Sequence, residues 1–221
     1  MNERGHKTSQ INDGFLFEEM EYKVSAIEYP EKFINIYSLL GFKPNEFHTA
    51  CWRGFIATYA IFENKLVLKN LYTNNASNLK NKAPKLNNIL PDISIDEKWV
   101  SEETRKNRRE FNYKNINLEI PYTGSIIINK NFILERYVHM GFQSPFSYET
   151  VIQIIFDDGK LIFTKDLSNI AKIIRENNKI SDISFDKLDD KKWLENKLKW
   201  INDSFDLSFT SKVNDLLDDE I

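Results

Sequence analysis

One stretch limits the architectures open to this chain more than any other. From His48 to Tyr72 it reads HTACWRGFIATYAIFENKLVLKNLY, the longest run of strand-forming residues in the sequence, broken only at Glu63-Asn64. Two such runs around a two-residue polar break predict a central β-hairpin. Side chains on a strand point alternately to opposite faces. One face then carries Cys51, Arg53, Phe55, Ala57, Tyr59 and Ile61, and the other Trp52, Gly54, Ile56, Thr58, Ala60 and Phe62. Both sets are largely apolar, which predicts a strand inside a sheet covered on both sides; under that covering Trp52 is a core residue only if the strand reaches back to it.

Arg53 is the exception on that strand. A buried guanidinium needs a carboxylate or several carbonyls, because an unpaired buried charge costs several kcal/mol. Two readings are open: a structural arginine, either in an ion pair or emerging at the strand's rim, or a ligand-binding arginine that holds an anion beside Gly54, where a missing side chain admits a ligand or another backbone. Cys51 is the single cysteine. It has no intramolecular disulfide partner, which fits a reducing, cytoplasmic setting, and a buried thiol is ordinarily inert packing.

At 221 residues the chain can bury a core without disulfides or metal. It reads as one domain over residues 14–212, between a polar tail at 1–13 and an acidic tail at 213–221. No apolar run approaches the ~18 residues of a membrane span, and the N-terminus lacks a signal-peptide core. Net charge is −3, so there is no global basic field for nucleic acid. A local cluster at Arg105, Lys106, Arg108 and Arg109, on a helix expected over Lys98 to Phe111 and capped near Ser101, reads as a solvated face. No nucleotide loop, zinc spacing or nucleophile motif is present, so no cofactor or metal is expected.

The rest of the chain supplies more strands and then helices. Phe15 to Phe17 and Tyr22 to Ile27 are strand-like around an acidic turn at Glu18, Glu19 and Glu21. Phe33, Ile36, Tyr37 and Leu40 fall at helical spacing before Gly41. Residues 73–96 are Asn-rich and proline-broken, as a long loop is. Ser125 to Ile128 and Phe132 to Val138 flank Asn129-Lys130-Asn131, which predicts a hairpin turn. Thr150 to Phe156 and Leu161 to Thr164 flank Asp157-Asp158-Gly159-Lys160, a stronger turn signal. After Lys165 the period becomes helical, with Leu167, Ile170, Ala171 and Ile174 in one stripe, and a second helix is expected from Leu188 to Ile201. The expected fold is therefore α+β, an antiparallel sheet of hairpins with two C-terminal helices packed against it.

Three pieces, residues 49–58, 122–124 and 135–142, together resemble an uncharacterised family of small bacterial cytosolic proteins. In that family the central strand reads approximately W-R-G-Y-I-A-T-W-E-I and a Y-V-H-M-G segment follows. Tyr59-Ala60 stands here where that pattern has Trp-Glu. The resemblance implies no activity and no catalytic residue.

Two functions of different kinds fit these residues. The first is a non-catalytic protein-binding domain, with a bacterial immunity protein that neutralises a toxin as its most concrete form. The second is an enzyme or small-molecule-binding protein. On a strand, Glu135, Tyr137 and His139 would share one face as candidate catalytic groups, with Arg53 holding an anion.

Overall fold

The computed structural model describes residues 9–75, 83–94, 109–138 and 141–177. Among these residues ten strands form one sheet: β1 (Gly14–Phe17), β2 (Met20–Ile27), β3 (Phe55–Phe62), β4 (Lys65–Asn74), β5 (Asp92–Ser94), β6 (Glu110–Tyr113), β7 (Leu118–Glu119), β8 (Gly124–Phe132), β9 (Tyr148–Asp157) and β10 (Lys160–Asp166). Their order is β10-β9-β8-β2-β1-β3-β4-β6-β5, with β7 beside β4. Helices α1 (Ile36–Leu40) and α2 (Ser168–Asn177) lie between β2 and β3 and after β10.

The central hairpin is β3 and β4, joined where Glu63 and Asn64 adopt φ of 48° and 64°. Two successive left-handed residues are the turn whose twist matches paired strands. Asp158 and Gly159 do the same between β9 and β10 at 45° and 74°, and Glu18 and Glu19 between β1 and β2 at 49° and 62°. The hairpins expected at Glu63-Asn64 and Asp158-Gly159 are present, and the strand-like pieces on either side of Glu18-Glu19 pair as a third. α1 starts at Asn35, whose side chain accepts from the Ser38 N–H at 3.1 Å, and stops at Gly41 with φ 75°.

The fold class departs from the expectation. The described part of the protein is mostly β, and its sheet is mixed rather than antiparallel, because β1 runs parallel to β3 with Gly14 beside Thr58 and Leu16 beside Ala60. Among the described residues only α2 exceeds one or two turns, so a pair of C-terminal helices does not frame the sheet. The helix expected from Leu188 to Ile201 and most of the one at 98–111 lie outside the described residues, but Glu110 and Phe111 at the end of the latter are strand, in β6. α2 itself begins as its sequence dictates, with the Ser168 N–H donating to Asp166 Oδ1 at 2.8 Å and Leu167, Ile170 and Ala171 buried. No helix among the described residues is long and apolar enough to cross a membrane.

The turn expected at Asn129-Lys130-Asn131 is absent. β8 runs through it, pairing Asn129 with Val151, Lys130 with Thr150 and Phe132 with Tyr148. Asn129 is fully buried, and its amide bonds Ser25 Oγ and the Pro145 carbonyl, so it is a partnered core amide rather than a turn residue. Between β8 and β9, 3₁₀ turns lie at Leu134–Arg136 and Pro145–Ser147.

The sheet curls until it meets itself. One edge of β4 is shared in sequence by Lys160 of β10 at Lys65, by β7 at Val67 and Leu68, and by β6 from Leu71 to Asn74. The Leu66 N–H donates to the Gly159 carbonyl at 2.7 Å and the Leu161 N–H to the Asn64 carbonyl at 3.0 Å, closing the seam. Phe15, Tyr22, Phe55, Leu66, Leu68, Tyr122, Ile126, Ile154 and Phe156 fill the interior. Part of the 73–96 stretch is built into this body, since Leu86 is buried and the Tyr113 hydroxyl donates to the Pro84 carbonyl at 2.8 Å.

Candidate functional site

β3 begins only at Phe55, so Cys51 to Gly54 do not continue its alternation. The chain turns there: the Cys51 N–H donates to the His48 carbonyl at 2.8 Å, and Gly54 adopts φ 70°. A Cβ on Gly54 would run into the Asn45 carbonyl, so the close approach that glycine permits is to backbone. Trp52 is consequently 42% exposed, not a core residue. The covering on both sides is also partial, for Phe55, Ala57 and Tyr59 are buried whereas Ile56 and Thr58 on the other face are half-buried.

Arg53 turns inward to a carboxylate at the end of the stretch whose composition reads as a tail. Its Nη1 donates to Asp13 Oδ2 at 2.9 Å and its Nη2 to Asp13 Oδ1 at 3.1 Å and to the Ile11 carbonyl at 3.2 Å. Asp13 Oδ1 also accepts from the Ala57 N–H at 2.9 Å. The guanidinium carbon lies 4.6 Å from the Phe55 ring centre and 5.6 Å from that of Phe142. With its side chain 28% exposed and that of Asp13 8%, this is a bidentate, largely enclosed pair that ties residues 11–13 to β3. Burial raises the Tyr59 phenol well above its usual range, and the Asp13 charge adds to that while Arg53 opposes it. Burial likewise pushes the Cys51 thiol up, the reverse of what a nucleophile needs.

Ser9 and Gln10 stitch two distant segments into one rim. Ser9 bridges to Gly141, the Gln10 N–H donates to the Gly141 carbonyl at 2.7 Å, and the Gln10 side chain accepts from the Trp52 N–H at 3.3 Å and donates to the Thr49 carbonyl at 2.8 Å. Gln143 donates to Ser9 Oγ and to the Val138 carbonyl, both at 2.8 Å, and accepts from the Val138 N–H at 2.9 Å. The segments around Arg53 and around Tyr137 therefore meet.

Glu135, Tyr137 and His139 do not share a strand face. Glu135 lies in the 3₁₀ turn, Tyr137 follows it in extended backbone, and His139 lies outside the described residues. A cavity of about 530 Å³ lined by Glu135, Arg136, Tyr137, Val138 and Ser147 brings two of the three candidates together, and Arg53 does not line it. Leu134, Tyr137 and Val138 are 78%, 46% and 42% exposed. Behind them the Arg136 Nη2 donates to the Arg175 carbonyl at 2.8 Å, and the Arg175 Nη1 donates to the Tyr148 carbonyl at 2.7 Å, fastening α2 to the loop.

Sequence reasoning missed Asp13, which holds Arg53, and Ser9, Gln10 and Gln143, which join the two segments of the rim. The requirement that Arg53 find a carboxylate was the one available signal, and it named no partner. Comparison of the chain with known protein families, with curated proteins and with solved structures finds no match.

Proposed function

We propose that this is a non-catalytic protein-binding domain whose working surface is the rim joining residues 48–53 to residues 133–138 and 141–143. The observation that carries the reading is exposed Trp52, Leu134, Tyr137 and Val138 on two segments laced together by Ser9, Gln10 and Gln143. Aromatic residues and arginine dominate binding hot spots, and exposed large apolar side chains gathered in one place mark interaction surfaces. Arg136 adds a cation at that rim. A toxin-neutralising immunity protein is the specific form of this proposal. The enzyme alternative would need Arg53 free to hold an anion, and Arg53 is engaged with Asp13.

Co-purification from the cells that make the protein tests the reading. A stoichiometric protein partner is expected, with binding weakened by about tenfold or more in Trp52→Ala or Tyr137→Ala. If that partner is a toxin, co-expression should restore growth. Variants that bind undiminished, or a small molecule retained in place of any protein, would overturn it.

A further inference from the structure

The outer face of the central hairpin carries a second concavity, apart from the rim. Ala57, Tyr59, Leu71, Phe111 and Tyr113 point into the core, so residues of opposite parity on those strands face out. Register lays two rows across that face, Ile56 beside Tyr72 beside Asn112, and Thr58 beside Asn70. With Lys114 and Asn115, just past β6, they line a cavity of about 480 Å³. Small-molecule sites run from about 300 to 1,000 Å³. Phe47 stacks on Tyr72 with ring centres 4.9 Å apart and planes 2° from parallel, which fixes that ring in place.

The lining is rich in uncommitted neutral polar groups. Asn70 Oδ1 accepts from the Asn115 N–H at 3.0 Å, which leaves the Asn70 NH₂ without a partner among the described residues. The Thr58 hydroxyl and the side-chain amides of Asn112 and Asn115 also have none there. Lys114, the charged residue of the lining, is held by Asp92 at 2.8 Å.

We infer that this groove binds a neutral carbohydrate of one or two sugar rings. Amides and a hydroxyl present donors and acceptors together, as vicinal diols require. Ile56 and Tyr72 give apolar area to the C–H face of a pyranose. A phosphate or carboxylate ligand would need a cation not already shared with a carboxylate, and Lys114 is shared.

Calorimetric titration of the full chain with maltose, cellobiose, lactose and chitobiose tests the inference, with AMP as the anionic comparison. At least one disaccharide should bind, and Asn112→Ala should weaken it about tenfold, the loss of one hydrogen bond. Lys114→Ala should change it less than about twofold. If Asn112→Ala does not melt like wild type, Thr58→Val serves in its place. No binding by any of the four sugars, undiminished binding by a folded Asn112→Ala, or AMP binding that Lys114→Ala removes would each overturn it. Because Trp52 and Tyr137 do not line the groove, the outcome is independent of the protein-binding proposal.

Discussion

Arg53 and Asp13, forty positions apart in sequence, meet through two parallel N–H···O bonds of 2.9 and 3.1 Å. Removing either partner strands the other in an enclosed site. Arg53→Ala should cost about 3–5 kcal/mol of stability in urea denaturation. Asp13→Asn, which keeps an acceptor for the Ala57 N–H, should cost less. An Arg53→Ala protein that unfolds at the wild-type midpoint would show that the pair does not hold residues 11–13 to β3.

Trp52 gives the opposite expectation. As a 42% exposed side chain it should tolerate Trp52→Ala within about 1 kcal/mol, while Phe156→Ala, in the core, should cost about 3–5 kcal/mol. Thermal unfolding of the two variants side by side checks the contrast. Equal losses would return Trp52 to the interior.

Two glycines with nearly the same φ, 75° at Gly41 and 70° at Gly54, should respond differently to alanine. Nothing lies within 4 Å of a Cβ built on Gly41, so Gly41→Ala pays only the left-handed strain of about 1–2 kcal/mol. Gly54→Ala meets the Asn45 carbonyl as well and should lose about 3 kcal/mol or more. Matching midpoints for both variants would contradict the packing of residue 45 against the turn.

The buried phenols of Tyr59, Tyr113, Tyr122 and Tyr148 all titrate above their ordinary value of 10.0. Burial is the main cause in each, with the charges of Glu28 and Glu31 adding at Tyr122. Above about pH 10 the unfolded chain has released these protons and the folded chain has not, so the unfolded state binds fewer and stability falls as pH rises. Their stabilising effect is fully present below that pH. Alkaline titration should therefore show tyrosinate absorbance rising together with the loss of circular dichroism. Complete ionisation in a protein that remains folded would refute this.

Where the sequence could be read, a local conformation made it so. Asp158-Gly159 favours two successive left-handed residues and Asn64 favours one, and the apolar alternation on either side needs no distant information. Asn129-Lys130-Asn131 has similar composition but lies in a strand, because Ser25 and Pro145, far away in the chain, supply what the Asn129 amide bonds. The parallel β1–β3 pair and the meeting of Lys65 with Lys160 leave no periodic trace for the same reason. At the site, burial logic required a carboxylate for Arg53, yet Asp13 sits in a polar stretch without periodicity. The strand alternation does not extend back to Trp52, because the positive φ of Gly54 ends it. The strand expected at Phe132 to Val138 likewise gives way after Phe132 to a 3₁₀ turn.

The seam between β4 and β10 also sets a timetable for the nascent chain. Until Gly159 and Lys160 have left the ribosome, the Leu66 N–H lacks its acceptor and the edge beside Val67 is only partly covered. An apolar ribbon with an open edge is the form in which partly made sheets stick to one another. A message truncated before β10 would accordingly yield aggregating fragments rather than a smaller folded protein, and every full-length molecule passes through that vulnerable length once.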